Sequence, residues 1–173
     1  MTYDAILFDF DGVLADSEPV HFSCWKEILA PYGIAFEWET FARECVGVAD
    51  REMLLRLSKT VTPAISFEAL VAEYPRKKTM FREKMLAAPP FMEETIAMVR
   101  EVAEQFPLAV VSSSGREEIE PPIAAVGIRE CFQTLVCGLE AGRLKPAPDP
   151  YLMAAERLKA RLPLVVEDSE AGE

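Results

Sequence analysis

Candidate strands are distributed unevenly along this chain, and that distribution restricts its fold. Residues 3–10 (Tyr-Asp-Ala-Ile-Leu-Phe-Asp-Phe) have the short, aromatic and aliphatic character of a buried strand, and Gly12 breaks the pattern. No strand candidate follows between Asp16 and Met85, where the apolar spacing is that of helices. From residue 93 onward, helix and strand patterns alternate, which indicates a parallel sheet.

The patterns predict an α/β fold in which a helical insertion interrupts a sheet-based core. Helices are predicted at 19–29, 38–45, 50–57, 67–86, 93–105 and 150–161, and further strands at 108–112, 132–137 and 164–166. Pro121 and Pro122 should end or kink the helix that follows Gly115.

We therefore predict a Rossmann-like parallel sheet core formed by residues 1–15 and 86–173, with an all-helical, four-helix cap at 16–85. The chain stops a few residues after the last predicted strand, whereas one more crossover unit takes about 30 residues. We accordingly expect the C-terminal part of the core to be missing.

Composition excludes several classes of partner. Half of the 173 residues are apolar, which is enough for a packed core, and the net charge of −11 argues against nucleic acid and anionic membranes. The start of the chain does not resemble a signal peptide, so we expect a cytoplasmic protein. We also expect a monomer or a weak homo-oligomer. The cysteines lack metal-type spacing and are expected to be buried reduced thiols. They are Cys24, Cys45, Cys131 and Cys137.

Two carboxylates follow the first predicted strand. Asp9 and Asp11 are spaced i and i+2 at its carboxyl end, which is where open α/β sheets bind ligands. Both can reach one crevice, so that one can attack a substrate while the other transfers a proton. Taken alone, the same tripeptide also fits a solvated loop.

Three further polar segments follow predicted strands or the loops beyond them. The serine-rich loop at 112–115 can bind phosphate or cap a helix. Lys145 can supply positive charge to a site or face solvent. Glu167 and Asp168 offer the oxygen ligands that Mg²⁺ prefers, although they also fit a helix N-cap followed by a solvated acid.

Taken in order, the segments Asp-x-Asp-Gly-x-Leu, Ser-x-Ser, Leu-Lys-Pro and Glu-Asp-Ser resemble the four motifs of the haloacid dehalogenase superfamily. The resemblance covers the whole chain, including the position of the helical cap, and is closest to the β-phosphoglucomutase-like branch of phosphatases and mutases. It implies Mg²⁺-dependent hydrolysis of a small phosphorylated metabolite, for which we expect a sugar or polyol phosphate, through an aspartyl-phosphate.

The resemblance also implies a role for each motif residue. Asp9 matches the nucleophile, Asp11 matches the general acid/base, and Lys145 matches the cation that bridges the nucleophile and the phosphoryl oxygens. Ser112 matches the hydroxyl that holds the transferring phosphoryl group, and we expect Ser113 of the same loop to bind substrate as well.

The metal ligands implied by the resemblance come from both ends of the chain. Glu167 and Asp168 match carboxylate ligands of Mg²⁺ that complete the site with Asp9, and Asp11 matches a ligand through its backbone carbonyl. Together with Lys145, the ion should keep Asp9 ionised at neutral pH.

The predicted cap carries three further candidates. His21 and Trp25 lie at i and i+4 and match positions at the cap–core interface of sugar-phosphate mutases, but they fit a packed aromatic face equally well. Lys77 matches a cap lysine that faces the active site in mutases, and a solvated basic face is the alternative. We predict substrate-binding roles for His21 and Lys77.

One departure from the mutases concerns the phosphate that is not transferred. The mutases carry an arginine three residues after the glycine that Gly47 matches, whereas this chain has Asp50, followed by Arg51. A carboxylate there should repel a second phosphate. We therefore predict a hydrolase, and keep two alternatives: a β-phosphoglucomutase-type mutase, and an inactive truncated fragment that only binds metal or a partner.

Overall fold

The computed structural model describes residues 3–35, 37–46, 48, 50–60 and 63–168. Four strands form one parallel sheet in the order β3-β2-β1-β4. They are β1 (Ala5–Phe8), β2 (Leu108–Ser112), β3 (Phe132–Cys137) and β4 (Pro163–Val166). The prediction of an α/β fold with a Rossmann-like parallel sheet is confirmed.

Helices account for most of the rest. The described residues contain eight α-helices, α1 (Glu18–Leu29), α2 (Trp38–Glu44), α3 (Asp50–Leu57), α4 (Phe67–Val71), α5 (Tyr74–Ala87), α6 (Glu93–Ala103), α7 (Arg116–Ala125) and α8 (Asp149–Leu158). Short 3₁₀ helices lie at Ala30–Tyr32, Arg129–Cys131 and Gly138–Ala141.

The chain divides into two compact units. One, which we call the core unit, comprises Met1–Asp16 and Met85–Glu173 and holds the sheet, and the other, the helical unit, comprises Ser17–Lys84. These boundaries lie one residue from the domain boundaries predicted above.

The first strand occupies an inner position in the sheet. All four residues of β1 are buried, and β1 pairs with β2 on one side and β4 on the other. The chain adds β2 and β3 on one side of β1 before it returns to add β4 on the other. Such a reversal of strand order opens a crevice at the carboxyl ends of the strands. The sheet therefore directs the residue after β1 towards the place where ligands bind in this class of fold.

One face of the sheet packs on α8. Leu7, Ala109, Val111 and Val136 form a buried cluster with Ala154, and Tyr151 packs against it. The alternation of side chains along each strand brings these residues to the same face. As a result, the first turns of α8 are fixed close to the carboxyl ends of β1 and β2.

The prolines of α7 do not end it, which contradicts one of the two outcomes predicted for them. The helix continues through Pro121 and Pro122, and the amide of Val126 donates to the carbonyl of Pro122 at 3.2 Å. An interior proline costs a helix about 3 kcal/mol, whereas burying one isoleucine contributes about 1.5–3 kcal/mol. Ile119 and Ile123 are both fully buried, so packing offsets the lost backbone hydrogen bonds.

The helical unit differs from the predicted four-helix arrangement at one point. The single helix predicted at 67–86 is interrupted between α4 and α5, so that prediction is wrong. Pro75 is the second residue of α5, and a proline favours the first turn of a new helix over the interior of an existing one. Ser66 caps the start of α4, because its hydroxyl accepts a hydrogen bond from the amide of Ala69 at 3.1 Å.

The helical unit has its own apolar core. Its buried members are Trp25, Ile28, Leu29, Ile34, Phe41, Met53, Leu54 and Leu70. Among the residues described here, no helix is long and apolar enough to cross a bilayer.

All four cysteines are free thiols. Cys24 and Cys137 are buried as predicted, and burial raises the pKa of Cys24 to about 11 and that of Cys137 to about 12. Cys45 and Cys131 are only half-buried, so the prediction of burial is wrong for them. The raised pKa values leave Cys24 and Cys137 protonated and unreactive at neutral pH.

Candidate active site

The sheet register brings residues from both ends of the chain together. Phe8 of β1 pairs with Val166 of β4, so Asp9 and Glu167 are the next residues along two adjacent strands. The amide of Asp9 donates to the carbonyl of Val166 at 3.0 Å, which continues the pairing beyond β1. Ser112 ends β2, the strand on the other side of β1. Three strand ends thus contribute polar residues to one edge of the sheet.

Lys145 joins two of these carboxylates. Its Nζ donates to Asp9 Oδ1 at 2.7 Å and to Glu167 Oε1 at 2.5 Å. The side chains of Lys145 and Glu167 are each 7% exposed, and that of Asp9 is 10% exposed. Lys145 is therefore buried between two acids and does not face solvent. Its positive charge is fixed beside the predicted nucleophile.

Asp9 is held in one orientation. The backbone N–H of Phe10 donates to Oδ1 at 2.7 Å, the same oxygen that accepts from Lys145. Burial raises the pKa of Asp9 to about 7; the charge of Lys145 and its hydrogen bond lower it, and the nearby Asp11 and Glu167 raise it further. Lys145 alone therefore does not keep Asp9 fully ionised at neutral pH. The predicted ionisation of Asp9 needs a second cation as well.

Three carboxylates lie close enough to share a cation. One oxygen from each of Asp9, Glu167 and Asp168 falls within 4.8 Å of the other two. Partial burial raises the pKa of Asp168, and the charges of Glu167 and Asp11 add to that effect. A bound cation would relieve this repulsion. Ser169, the last residue of the predicted motif, lies outside the described residues.

Gly12 makes room for Asp168. A Cβ atom at position 12 would lie 1.9 Å from Asp168 Oδ2, and the backbone at Gly12 has a φ of +76°. The positive φ favours glycine, and a Cβ atom at this position would force the Asp168 carboxylate to move. The glycine of the first motif thus allows a candidate metal ligand from the fourth motif to approach the loop.

Two serine hydroxyls face Asp11. Ser112 Oγ and Ser114 Oγ donate to Asp11 Oδ2 at 3.5 and 3.4 Å, and the amide of Ser114 donates to Ser112 Oγ at 3.0 Å. Ser113, one of the predicted substrate-binding residues, points to solvent. The N-cap of α7 is Gly115, so the serines of this loop do not cap the helix through that position. Sequence reasoning selected Ser112 and Ser113 of this loop, whereas the structure directs Ser112 and Ser114 to Asp11 and leaves Ser113 exposed.

Tyr151 contacts the site although no motif predicted it. Its hydroxyl donates to Glu167 Oε1 at 2.6 Å, and Lys145 Nζ lies 5.0 Å from the centre of its ring. Burial raises the pKa of Tyr151, and the hydrogen bond to Glu167 raises it further, so the hydroxyl stays protonated. The only sequence signal is a tyrosine in the first turn of the helix that follows the Lys145 loop.

The predicted cap residues cluster within the helical unit. Lys77 Nζ lies 2.8 Å from His21 Nδ1 and 3.2 Å from Asp50 Oδ2, and only 2% of Lys77 is exposed. The alternative of a solvated basic face is therefore wrong for Lys77. His21 stacks on Phe81, with ring centroids 4.2 Å apart, and Trp25 is fully buried in the apolar core.

Asp50 is paired inside the helical unit. Besides Lys77, its carboxylate accepts from Trp25 Nε1 at 3.0 Å and from the Tyr74 hydroxyl at 2.9 Å. Burial raises the pKa of Asp50, but Lys77, His21 and these hydrogen bonds outweigh it, so that the pKa is lowered overall. Lys77 therefore balances the charge of Asp50 inside the helical unit, and the repulsion of a second phosphate by Asp50 stays a prediction.

Arg51, the neighbouring cation, contacts an aromatic ring. The Arg51 guanidinium stacks over the Phe67 ring at 4.8 Å. Gly47, which matches the glycine three residues before the mutase arginine, lies outside the described residues.

Curated relatives match nearly the whole chain. A phosphorylated carbohydrates phosphatase of Thermotoga maritima is 28% identical over 98% of this chain and 78% of its own length. The fructose-1-phosphate phosphatase YqaB of Escherichia coli is 25% identical over 98% of this chain and 89% of its own length.

Solved structures agree on the fold. The structure of CbbY from Rhodobacter sphaeroides with phosphate aligns with a TM-score of 0.81 and 23% identity, covering 99% of this chain and 80% of that one. A β-phosphoglucomutase from Clostridium difficile aligns with a TM-score of 0.79 and 21% identity, covering 99% of this chain and 78% of that one.

A family model described as haloacid dehalogenase-like hydrolase matches residues 6–172. This chain therefore belongs to the haloacid dehalogenase-like hydrolases, as its four motifs predicted.

Proposed function

We propose that this protein is a Mg²⁺-dependent phosphatase that hydrolyses a small phosphorylated metabolite, with sugar or polyol phosphates as the expected class, through an aspartyl-phosphate on Asp9. The observation that carries the proposal is the buried ammonium of Lys145, 2.7 Å from Asp9 and beside the three-carboxylate cluster. The names of the two relatives above, both sugar-phosphate phosphatases, support the substrate class.

The carboxylate cluster fits Mg²⁺. Asp9, Glu167 and Asp168 supply hard oxygen donors, and Mg²⁺ is commonly held by a few carboxylates with its remaining positions open to water and phosphate. The backbone carbonyl of Asp11 is a further ligand by resemblance to the family. When bound, the ion neutralises charge on the phosphoryl oxygens and favours the ionised form of Asp9.

The first chemical step forms a bond to Asp9. A carboxylate oxygen of Asp9 attacks phosphorus, the ester P–O bond breaks, and the leaving oxygen takes a proton from Asp11. Lys145 and the Ser112 hydroxyl hold the phosphoryl oxygens during the transfer. The Ser114 hydroxyl orients the Asp11 carboxyl for this role, and the single Ser112 hydroxyl proton turns from Asp11 to the phosphoryl oxygen.

The second step reverses the roles. Asp11, now ionised, takes a proton from a water molecule that attacks the aspartyl-phosphate, and inorganic phosphate leaves with Asp9 restored. Positive charge at the site matters because the protein has a net charge of −11, which repels a phosphomonoester dianion. Lys145 supplies part of that charge from the chain itself.

A phosphate-release assay tests the proposal. We expect turnover of several sugar and polyol phosphates with Mg²⁺, loss of turnover with a chelator, and loss of turnover in Asp9→Asn. Asp4→Asn is the matched control, because Asp4 flanks the opposite end of β1 and binds the backbone amides of Arg161 and Leu162. Absence of turnover on the whole panel by the folded, Mg²⁺-bound protein would favour the inactive-fragment alternative.

The mutase alternative is not favoured. Lys77 is buried and paired with Asp50, so it is not an uncommitted cation for a second phosphate. Efficient conversion of β-glucose 1-phosphate to glucose 6-phosphate without phosphate release would contradict the hydrolase proposal. The substrate-binding roles predicted for His21 and Lys77 stay part of the proposal.

A further inference from the structure

Three donors among the described residues contact Glu167. Its Oε1 accepts from Lys145 at 2.5 Å and from the Tyr151 hydroxyl at 2.6 Å, and its Oε2 accepts from the amide of Asp168 at 3.1 Å. Tyr151 is the member of this set that no motif contains. We propose that Tyr151 is a positioning residue that keeps Glu167 available to a divalent cation and thereby sets the cation affinity of the site. This inference rests on the proposed function.

Lys145 and a cation compete for the same carboxylate. Lys145 Nζ already lies between Asp9 and Glu167, and a buried ammonium and carboxylate attract each other strongly in a poorly solvated site. If Glu167 were free to turn, its Oε2 could also close onto Lys145, which already contacts Oε1 at 2.5 Å. Such a closure would weaken the contact of Lys145 with Asp9 and withdraw a ligand from the cation.

The Tyr151 hydroxyl opposes that closure without neutralising Glu167. It donates a hydrogen bond to Oε1 but carries no charge, so the carboxylate remains an anion and keeps its attraction for a cation. Groups that hydrogen-bond to metal ligands in this way fix their orientation, and their removal typically weakens metal binding about 10–100-fold.

The ring of Tyr151 makes the hydroxyl a rigid support. It packs against the buried cluster that includes Leu7, Val111 and Ala154, and it lies in the first turn of α8. The same ring faces the Lys145 ammonium at 5.0 Å, a separation typical of a cation–π contact. One side chain therefore contacts both members of the Lys145–Glu167 pair, the ammonium through its ring and the carboxylate through its hydroxyl.

Tyr151→Phe separates these two contacts, because it removes the hydroxyl and keeps the ring. We expect the dissociation constant for Mg²⁺, measured by calorimetry without substrate, to rise about tenfold or more. Saturating Mg²⁺ should restore most of the activity that this variant loses. The Mg²⁺ concentration that gives half-maximal activity should therefore change more than kcat.

Tyr32→Phe is the matched control. Its hydroxyl donates to Glu73 at 2.7 Å in the helical unit, so the same atom is removed from an equivalent bond to a carboxylate. We expect its Mg²⁺ affinity to equal that of the parent protein. The melting temperature of each metal-free variant reports any purely structural role of the hydroxyl.

A double-mutant cycle with Glu167→Gln tests whether Tyr151 acts through Glu167. We expect Glu167→Gln to weaken Mg²⁺ binding, and Tyr151→Phe to add little to it, because the two changes remove the same ligand geometry. An unchanged Mg²⁺ affinity in Tyr151→Phe overturns the inference. If Tyr151→Phe does not fold, an unchanged Mg²⁺ affinity in Glu167→Gln overturns it. A parent protein that does not bind Mg²⁺ defeats the metal-dependent function itself, which is a different result.

Discussion

At the scale of single residues, Asp9 is subject to two opposing effects. Burial favours its neutral form, whereas Lys145 at 2.7 Å favours the charged form. Burial is the larger effect, so the pKa rises to about 7. The nucleophile is thus poorly stabilised as an anion in the metal-free protein. Reactive groups held in this way commonly reduce the stability of the fold that carries them.

Asp9→Asn should therefore stabilise the metal-free protein at high pH. The pKa of Asp9 is raised from 3.8 to about 7, so its contribution to stability is fully present below about pH 4 and is lost as pH rises through about 7. The amide has no such pH dependence. We expect Asp9→Asn to melt at a higher temperature than the parent at pH 8, with a smaller advantage at pH 5. A lower melting temperature at pH 8, or a difference independent of pH, contradicts the burial argument.

Gly12→Ala should weaken cation binding. The new Cβ would collide with Asp168 Oδ2, so the carboxylate has to move, and the left-handed backbone adds a strain of about 1–2 kcal/mol. Gly33→Ala is the control, since Gly33 has a similar φ of +73° with no atom within 4 Å of the added Cβ. We expect both variants to lose stability, but only Gly12→Ala to raise the Mg²⁺ dissociation constant. Equal Mg²⁺ affinities in the two variants would remove Asp168 as the affected ligand.

At the scale of elements, a buried charge pair joins α3 and α5. Asp50 of α3 and Lys77 of α5 lie 3.2 Å apart, with only 3% of the Lys77 side chain exposed. Removing one partner of a buried pair leaves the other charge without compensation, which costs much more than losing a surface pair. The pair should therefore matter for the stability of the helical unit as well as for any role in binding.

Asp50→Ala tests this role. We expect the free energy of unfolding to fall by about 3–5 kcal/mol, as for other broken buried pairs. Glu52→Ala in the same helix is the control, because Glu52 pairs with Arg56 on the surface at i,i+4 and should contribute about 0.5 kcal/mol or less. Denaturant unfolding of the two variants gives the comparison. Similar small losses in both would show that the Asp50–Lys77 contact adds little.

The same pair has a defined pH dependence. Because the pKa of Asp50 is lowered, its contribution to stability is present above about pH 4 and is lost as pH falls through the lower folded value. The stability difference between the parent and Asp50→Ala should accordingly shrink in acid.

Elements were predictable from sequence where local pattern and packing agree. Strands β2 and β3 coincide with the predicted ranges. β2 is buried throughout, and β3 is buried at four of its six positions, with Gln133 exposed. The interruption between α4 and α5 was missed because the apolar spacing continues through it. The continuation of α7 through Pro121 and Pro122 was missed because local propensity takes no account of the burial of Ile119 and Ile123.

At the scale of the whole molecule, the candidate site is assembled from distant parts of the chain. Asp9 and Glu167 meet because parallel strands bring their carboxyl ends to one edge of the sheet, and that rule is readable from the strand pattern. The contacts of Tyr151 and the pairing of Asp50 with Lys77 depend on how side chains pack between helices or against the sheet. No local pattern encodes those distances, so sequence reasoning missed them.

The most direct test of the account is to trap the covalent intermediate on Asp9. Asp11→Asn should slow turnover about 10²–10⁴-fold, because acid–base help is lost, and it should prolong the aspartyl-phosphate because water then lacks its base. We expect acid quenching of this variant with Mg²⁺ and a sugar phosphate, followed by peptide mass spectrometry, to find one phosphoryl group on Asp9. A phosphoryl group on another residue, or substantial turnover by folded Asp9→Asn, would contradict the account.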